Sequence, residues 1–150
     1  MINKIQATIQ EGLNLLTTEH YSCVAYCTRA LYTSKAMGIR PLIQPFNEDP
    51  YFFKDAIVID KVIGKSAALL LIYGQAQAIH AQIISEHALK CLKQSNILVS
   101  YDTLVPYIQN NERSGMCPME ATVLNIDDPY EGLLALRDKI QELMALKTSQ

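Results

Sequence analysis

Apolar residues recur at every third or fourth position at the start of the chain: Ile2, Ile5, Ile9, Leu13 and Leu16, with Lys4, Gln6, Gln10 and Glu11 between them. That spacing predicts an amphipathic helix over 1–16, with one face toward a core. The pattern then shortens. Residues 21–27 and 30–33 are rich in β-branched and aromatic side chains, which predicts two strands in a hairpin around Thr28 and Arg29. Pro41 and Pro45 interrupt 38–46, which reads as a short helical or irregular connection, and Asn47-Glu48-Asp49-Pro50 reads as a turn.

Residues 56–59 form a short buried strand that stops at Asp60. A helix over 61–73 follows, favoured by its Ala-Ala-Leu-Leu-Leu centre and ended by Gly74. A strand over 76–84 leads to Ser85, which caps a helix over 86–94. Another strand covers 97–101. The remainder reads as helical: one or two turns in 102–108, a polar loop over 109–116, a short helix over 118–124 and a longer one over 129–146. The last carries Leu133, Leu136, Ile140, Leu143 and Met144 on one face, and 147–150 read as a frayed end.

Alternating strands and helices imply an α/β fold: a mixed sheet of about five strands covered on both faces, with further helices at the C-terminal end. Right-handed crossovers put the helices over 61–73 and 86–94 on the same face. The length suits one domain over 1–150, able to bury roughly 70% of the surface its unfolded form exposes.

Composition narrows the partners. Hydrophobic residues make up 49% and charged residues 19%, with a net charge of -2. The absence of any run of Lys and Arg argues against a nucleic-acid backbone as partner. The longest apolar run, 67–73, falls far short of the roughly 20 residues of a membrane span. An amphipathic start is unlike the unbroken apolar block of a secretory signal. The expected location is cytoplasmic, with Cys23, Cys27, Cys91 and Cys117 as reduced thiols.

Four segments carry a resemblance: VIDKVIGKSAALLL (58–71), IISEHALKCL (83–92), VSYDTLVPYI (99–108) and SGMCPMEATVLNIDDP (114–129). Together they resemble a small prokaryotic family of unknown function to which a cytidine-deaminase-like fold is assigned. The resemblance covers about residues 15–140. It implies a three-layer α/β/α sandwich and no established reaction. Deaminases of that fold hold zinc and a general acid/base with His-x-Glu at the start of one core helix and Pro-Cys-x-x-Cys at the start of the next. The corresponding starts here, Asp60–Lys61 and Ser85–Glu86, have neither motif. Cys23 and Cys27 would lie roughly 13 Å apart on a strand, too far to share one tetrahedral zinc. Zinc-dependent cytidine deamination is therefore not expected, and no metal or other cofactor is implied.

Two places remain as candidates. Asp60, Lys61, Gly64 and Lys65 lie where a strand gives way to a helix, the usual ligand position in open α/β sheets. Backbone N–H groups at a helix start favour anions. With Lys61 and Lys65 on one helix face, this predicts a site for a small anionic, nucleotide-like molecule, with Ser85 and Glu86 opening the next helix beside it. Gly64-Lys65-Ser66 is not a phosphate-binding P-loop, which needs a Gly where Ile59 stands. The second place is Cys117-Pro118-Met119-Glu120. A thiol at a helix start can become a nucleophilic thiolate, with Glu120 in an acid/base role. Tyr101, Asp102 and Tyr107 follow the last strand and could line the same cleft. His80 alternates along a strand and reads as packed. Three functions stay open: a ligand-binding protein, an enzyme using Cys117, and a structural or regulatory subunit of an assembly joined through its helices, with a homo-oligomer among the options.

Overall fold

The computed structural model describes residues 2–148. The helix α1 (Ile2–Glu19) leads into a hairpin of β1 (Cys23–Tyr26) and β2 (Leu31–Ser34), closed by Cys27 N–H donating to Ala30 O. Then follow α2 (Arg40–Glu48), β3 (Ile57–Ile63), α3 (Lys65–Tyr73), β4 (Ala78–Ser85), α4 (Glu86–Lys93), β5 (Leu98–Val105), α5 (Pro118–Thr122) and α6 (Pro129–Thr148). The five strands make one mixed sheet in the order β2-β1-β3-β4-β5; β1 is antiparallel to both its neighbours, and β3, β4 and β5 run parallel.

Alternation along β3 sorts the two layers. Val58 joins the main core with Leu69, Leu70 and Leu71 of α3 and Leu89 and Leu92 of α4, so both helices share one face as expected. Ile59 points the other way, onto Leu16 of α1 and Val24. A Cβ on Gly12 would lie 2.5 Å from Ile59 Cδ1, so a larger residue there would force the Ile59 side chain or α1 to shift. The helices α5 and α6 pack on α3. Asp128 caps α6, its Oδ2 accepting from Glu131 N–H at 2.9 Å. Leu133 and Leu136 are buried, but Leu143 and Met144 are exposed, so the predicted apolar face of α6 is packed only over its first half.

Three expectations are corrected. First, β3 does not stop at Asp60. It runs through Lys61 to Ile63, and the helix begins at Lys65 instead of Lys61. Val62 and Ile63 are β-branched and pair with Ile83 and Ile84 of β4, which rewards the extended form over another helical turn. Second, β5 continues to Val105, where 102–108 read as helical; Thr103, Leu104 and Val105 pair with Ile83, Ile84 and Ser85. Third, α2 is one helix that takes in Asn47 and Glu48, although Pro45 lies inside it. Pro45 has no N–H for the carbonyl of Pro41, four residues back. The Tyr32 hydroxyl donates to that carbonyl instead, at 2.7 Å.

That substitution of partners predicts a stability effect. Tyr32→Phe keeps the ring packed on Phe52 and Phe53 but strands the Pro41 carbonyl. It should cost about 1–2 kcal/mol in urea unfolding. A loss within error would mean that water replaces the hydroxyl at no cost.

Candidate functional site

The parallel strands β3 and β4 end side by side, and the helices that follow them start there. A carboxylate sits between the two starts. Glu120, from α5, is 1% exposed. Its Oε2 accepts from Lys65 N–H at 2.6 Å and from the Ser85 hydroxyl at 2.6 Å. Its Oε1 accepts from Ile108 N–H at 2.7 Å. Ser85 also caps α4, accepting from Ala88 N–H at 3.1 Å, so one hydroxyl serves both the helix and the carboxylate. The α3 start, where a free anion was expected, is thus met by an anion of the chain's own.

The lysines do not form the predicted pair. Lys61 is exposed on β3, not on a helix. Lys65 is buried, and its Nζ donates to Leu124 O at 2.8 Å and to Asp127 Oδ1 at 3.2 Å, tying α3 to the turn before α6. Gly64 links β3 directly to α3: a Cβ there would meet Ile108 Cγ1 at 2.9 Å and Glu120 Oε2 at 3.0 Å. The residues that would have to wrap phosphates in a P-loop are strand β3 itself. Glu86 is exposed in the first turn of α4.

The two helix starts offer Gly64–Lys65 and Ser85–Glu86, without thiol or imidazole at a first position, and the intervening space is taken by Glu120. These residues do not fit a deaminase zinc. Among the described residues no cluster of three His, Cys, Asp or Glu side chains could hold a metal ion.

What the fold does gather is a small cleft of about 180 Å³. Asp60, Lys61, Gly64, Ile108, Cys117, Met119 and Glu120 line it, together with the 37–39 turn. Cys117 precedes α5 and makes no side-chain cap; its N–H donates to Ile108 O at 2.7 Å. Glu120 is committed to three donors, so its carboxylate is not free to take a proton from the thiol. Lys65 does not line this cleft. An outer groove of about 580 Å³ adjoins it, sharing Val62 and Ile108 and adding Tyr107, Asn110, Asn111 and Arg113. Of the three residues expected to follow the last strand into the cleft, Tyr107 lines this groove. Tyr101 and Asp102 lie within β5 and line neither space. His80 is packed, as read: its Nδ1 lies 2.8 Å from Ser100 Oγ and its Nε2 3.2 Å from Asp102 Oδ1.

Asp60 is the residue whose weight the sequence hid. It is 5% exposed and stands mid-strand opposite Cys23. Burial pushes its carboxyl from the ordinary value up to about 7, against the opposing pull of hydrogen bonds from Val62 N–H, the Cys23 thiol and Lys61 N–H. The Cys23 thiol is pushed well up in turn, by burial and by Asp60. Cys91 is half-buried against the core and is also raised by burial.

The model of the domain-of-unknown-function family DUF1893 matches residues 11–140. The chain belongs to the DUF1893 family. A crystal structure of a DUF1893 family protein (TM1506) from Thermotoga maritima is similar to it, with a TM-score of 0.79 and 32% identity over 87% of this chain and 88% of that one. The chain is also 27% identical over 140 residues to the GTPase Era of Clostridium acetobutylicum. That match covers 89% of this chain and 42% of the relative, so the chain spans less than half of that protein's length. No helix among the described residues is long and apolar enough to cross a membrane.

Two expected outcomes follow from the two buried acids. Glu120→Gln turns one acceptor oxygen into a donor facing donors; it should lose about 3 kcal/mol in denaturant titration, and a neutral result would refute the three-donor arrangement. Asp60, with its carboxyl raised to about 7 in the fold, holds a proton that the unfolded chain releases. Stability should therefore fall as pH rises from about 4 to about 7 and level off above. Asp60→Asn should flatten that slope and raise stability at pH 8 by up to about 4 kcal/mol. A wild-type curve with no decline across the window would show that Asp60 titrates normally.

Proposed function

We propose that this protein binds a small nucleoside-like molecule at the ends of β3, β4 and β5, with its heterocyclic ring in the inner cleft. The observation that carries the reading is Asp60: a buried carboxyl, pushed up to about 7, on the wall of a cleft at the strand ends. Perturbed acids in clefts and ligands at the carboxyl ends of parallel strands are recurrent features of binding sites. The inner cleft is walled by Met119, Ile39 and Ile108, which suits a flat ring, and Asp60 can accept from or donate to a ring N–H or carbonyl. The anionic part of a nucleotide has no partner in Lys65. Lys61 on the wall of the inner cleft, and Arg113 with the amides of Asn110 and Asn111 on the outer groove, are the basic groups placed to meet it.

This reading is one of binding, since Glu120, the acid/base partner expected for Cys117, is already held by three donors. The activity named for the clostridial relative does not transfer either, because the strand-to-helix turn at Gly64 leaves no phosphate-wrapping loop.

Melting temperature against nucleobases, nucleosides and nucleoside monophosphates tests the idea. At least one heterocycle should stabilise the protein; a ligand at 1,000 times its dissociation constant adds about 4 kcal/mol. Asp60→Asn should weaken every such response, and Arg113→Ala only those of phosphate-bearing ligands. No shift from any compound at millimolar concentration would sink the proposal.

A further inference from the structure

The face of the sheet opposite Asp60 carries a second group of reactive side chains. Ile59 of β3, His80 of β4 and Ser100 of β5 stand in register across three strands, and Ile59 points onto Leu16 of α1. Side chains alternate between the two faces of a sheet. His80 and Ser100 therefore share the α1 side, and Asp60 lies on the other. The helix α1 packs on β1 and β3. Beyond it the same face of β5 is open: Leu98, Ser100 and Asp102 are all exposed, Leu98 by 52%.

His80 is 7% exposed, and both its ring nitrogens meet β5. Nε2 lies 3.2 Å from Asp102 Oδ1, and Nδ1 lies 2.8 Å from Ser100 Oγ. A carboxylate only accepts. Nε2 therefore carries the ring proton, and Nδ1 turns a lone pair toward Ser100, whose hydroxyl donates. A histidine buried for packing alone needs two polar partners of any kind. Here one partner fixes the tautomer, and the other is an exposed hydroxyl facing a base, the relation that activates a serine nucleophile. The backbone adds a donor. Leu98 N–H donates toward β4, to Gln77 O at 3.2 Å, and the ladder is unbroken from Leu98 to Tyr101. Backbone direction alternates along a strand. Ser100 thus also turns toward β4, and Tyr101 N–H turns to the free edge of the sheet. The N–H that follows a nucleophile is an oxyanion donor in α/β-hydrolases.

We propose that Ser100, His80 and Asp102 form an esterolytic centre on the open face of β5, independent of the cleft at the strand ends. Its substrates are small carboxylic esters whose acyl chain lies along Leu98, two residues before Ser100 on the same face. Ser100 Oγ bonds to the ester carbonyl carbon as its proton passes to His80 Nδ1. The carbonyl π electrons move onto the oxygen, which Tyr101 N–H meets. As they return, the bond to the alcohol oxygen breaks, and His80 gives that oxygen its proton. Water then repeats the sequence on the acyl-serine and releases the acid. Asp102 touches no substrate; it is a positioning residue that holds the ring and stabilises the imidazolium form.

A fluorophosphonate, which phosphonylates an activated serine with loss of fluoride, and p-nitrophenyl butyrate together test this. Peptide mass mapping should place the phosphonyl group on Ser100. Ester turnover should fall at least about 100-fold in Ser100→Ala. The amide of Asp102→Asn can donate to Nε2 and so favours the wrong tautomer; kcat should fall by about 1,000-fold or more at unchanged KM. Both side chains are exposed, so each variant should keep the wild-type circular dichroism spectrum. No label, or label on other residues alone, overturns the proposal. So does Ser100→Ala that turns over the ester like the wild type, or Asp102→Asn with unchanged kcat. If either variant does not fold, the labelling map of the wild type decides alone.

Discussion

Glu120 carries a carboxylate into a buried place, and the three hydrogen bonds it accepts are what make that burial tolerable. The donors come from the start of α3, the cap of α4 and the loop after β5, segments far apart in sequence. One side chain from the short helix α5 therefore sets the spacing of everything at the ends of the parallel strands. Gly64, Ile108 and Cys117 face the inner cleft because this carboxylate holds their segments together. The two helix dipoles converge on the same point and stabilise the same charge. Lys65 then has nothing to neutralise at its own helix start, and its long side chain runs instead to Leu124 and Asp127.

Much of the layout was legible because it rests on periodicity. The hairpin around Thr28 and Arg29, the capping of α4 by Ser85, and the shared face of α3 and α4 follow from local rules and handedness. The ends of β3 and β5 were not legible. In Ile57–Ile63 a charged pair, Asp60-Lys61, interrupts a β-branched run and imitates a strand end followed by a helix start. Only the ladder to β4 shows that the strand continues. Asp102 disguised β5 in the same way until its bond to His80 became visible. Pro45 was read as a break because its missing N–H is a local fact, whereas the Tyr32 hydroxyl that compensates comes from a strand.

The candidate site was misread in charge rather than in place. The sequence located the strand ends, and Asp60, Gly64, Cys117 and Glu120 do converge there. Its two lysines suggested a cationic pocket. The fold leaves one of them, Lys61, exposed on β3 at the cleft wall beside Asp60 and Glu120, and ties up the other. Side-chain direction decides this, and direction depends on whether residue 61 is helical or extended: one misplaced boundary made a lysine pair out of two side chains that the fold separates. Membership of the DUF1893 family supplies the architecture and leaves the ligand to be argued from these side chains.

The turn at Gly64 also constrains what this scaffold can become. A metal ligand at that helix start must bring a Cβ, and the nearest atoms already there belong to Ile108 and Glu120. Glu120 would have to shift before the ligand arrived, yet removing it first strands the donors of Lys65, Ser85 and Ile108. Either order passes through a poorly folded intermediate. The arrangement is therefore separated from a metal-binding one by a fitness valley rather than a single step, and drift around this turn is expected to conserve glycine and glutamate as a pair.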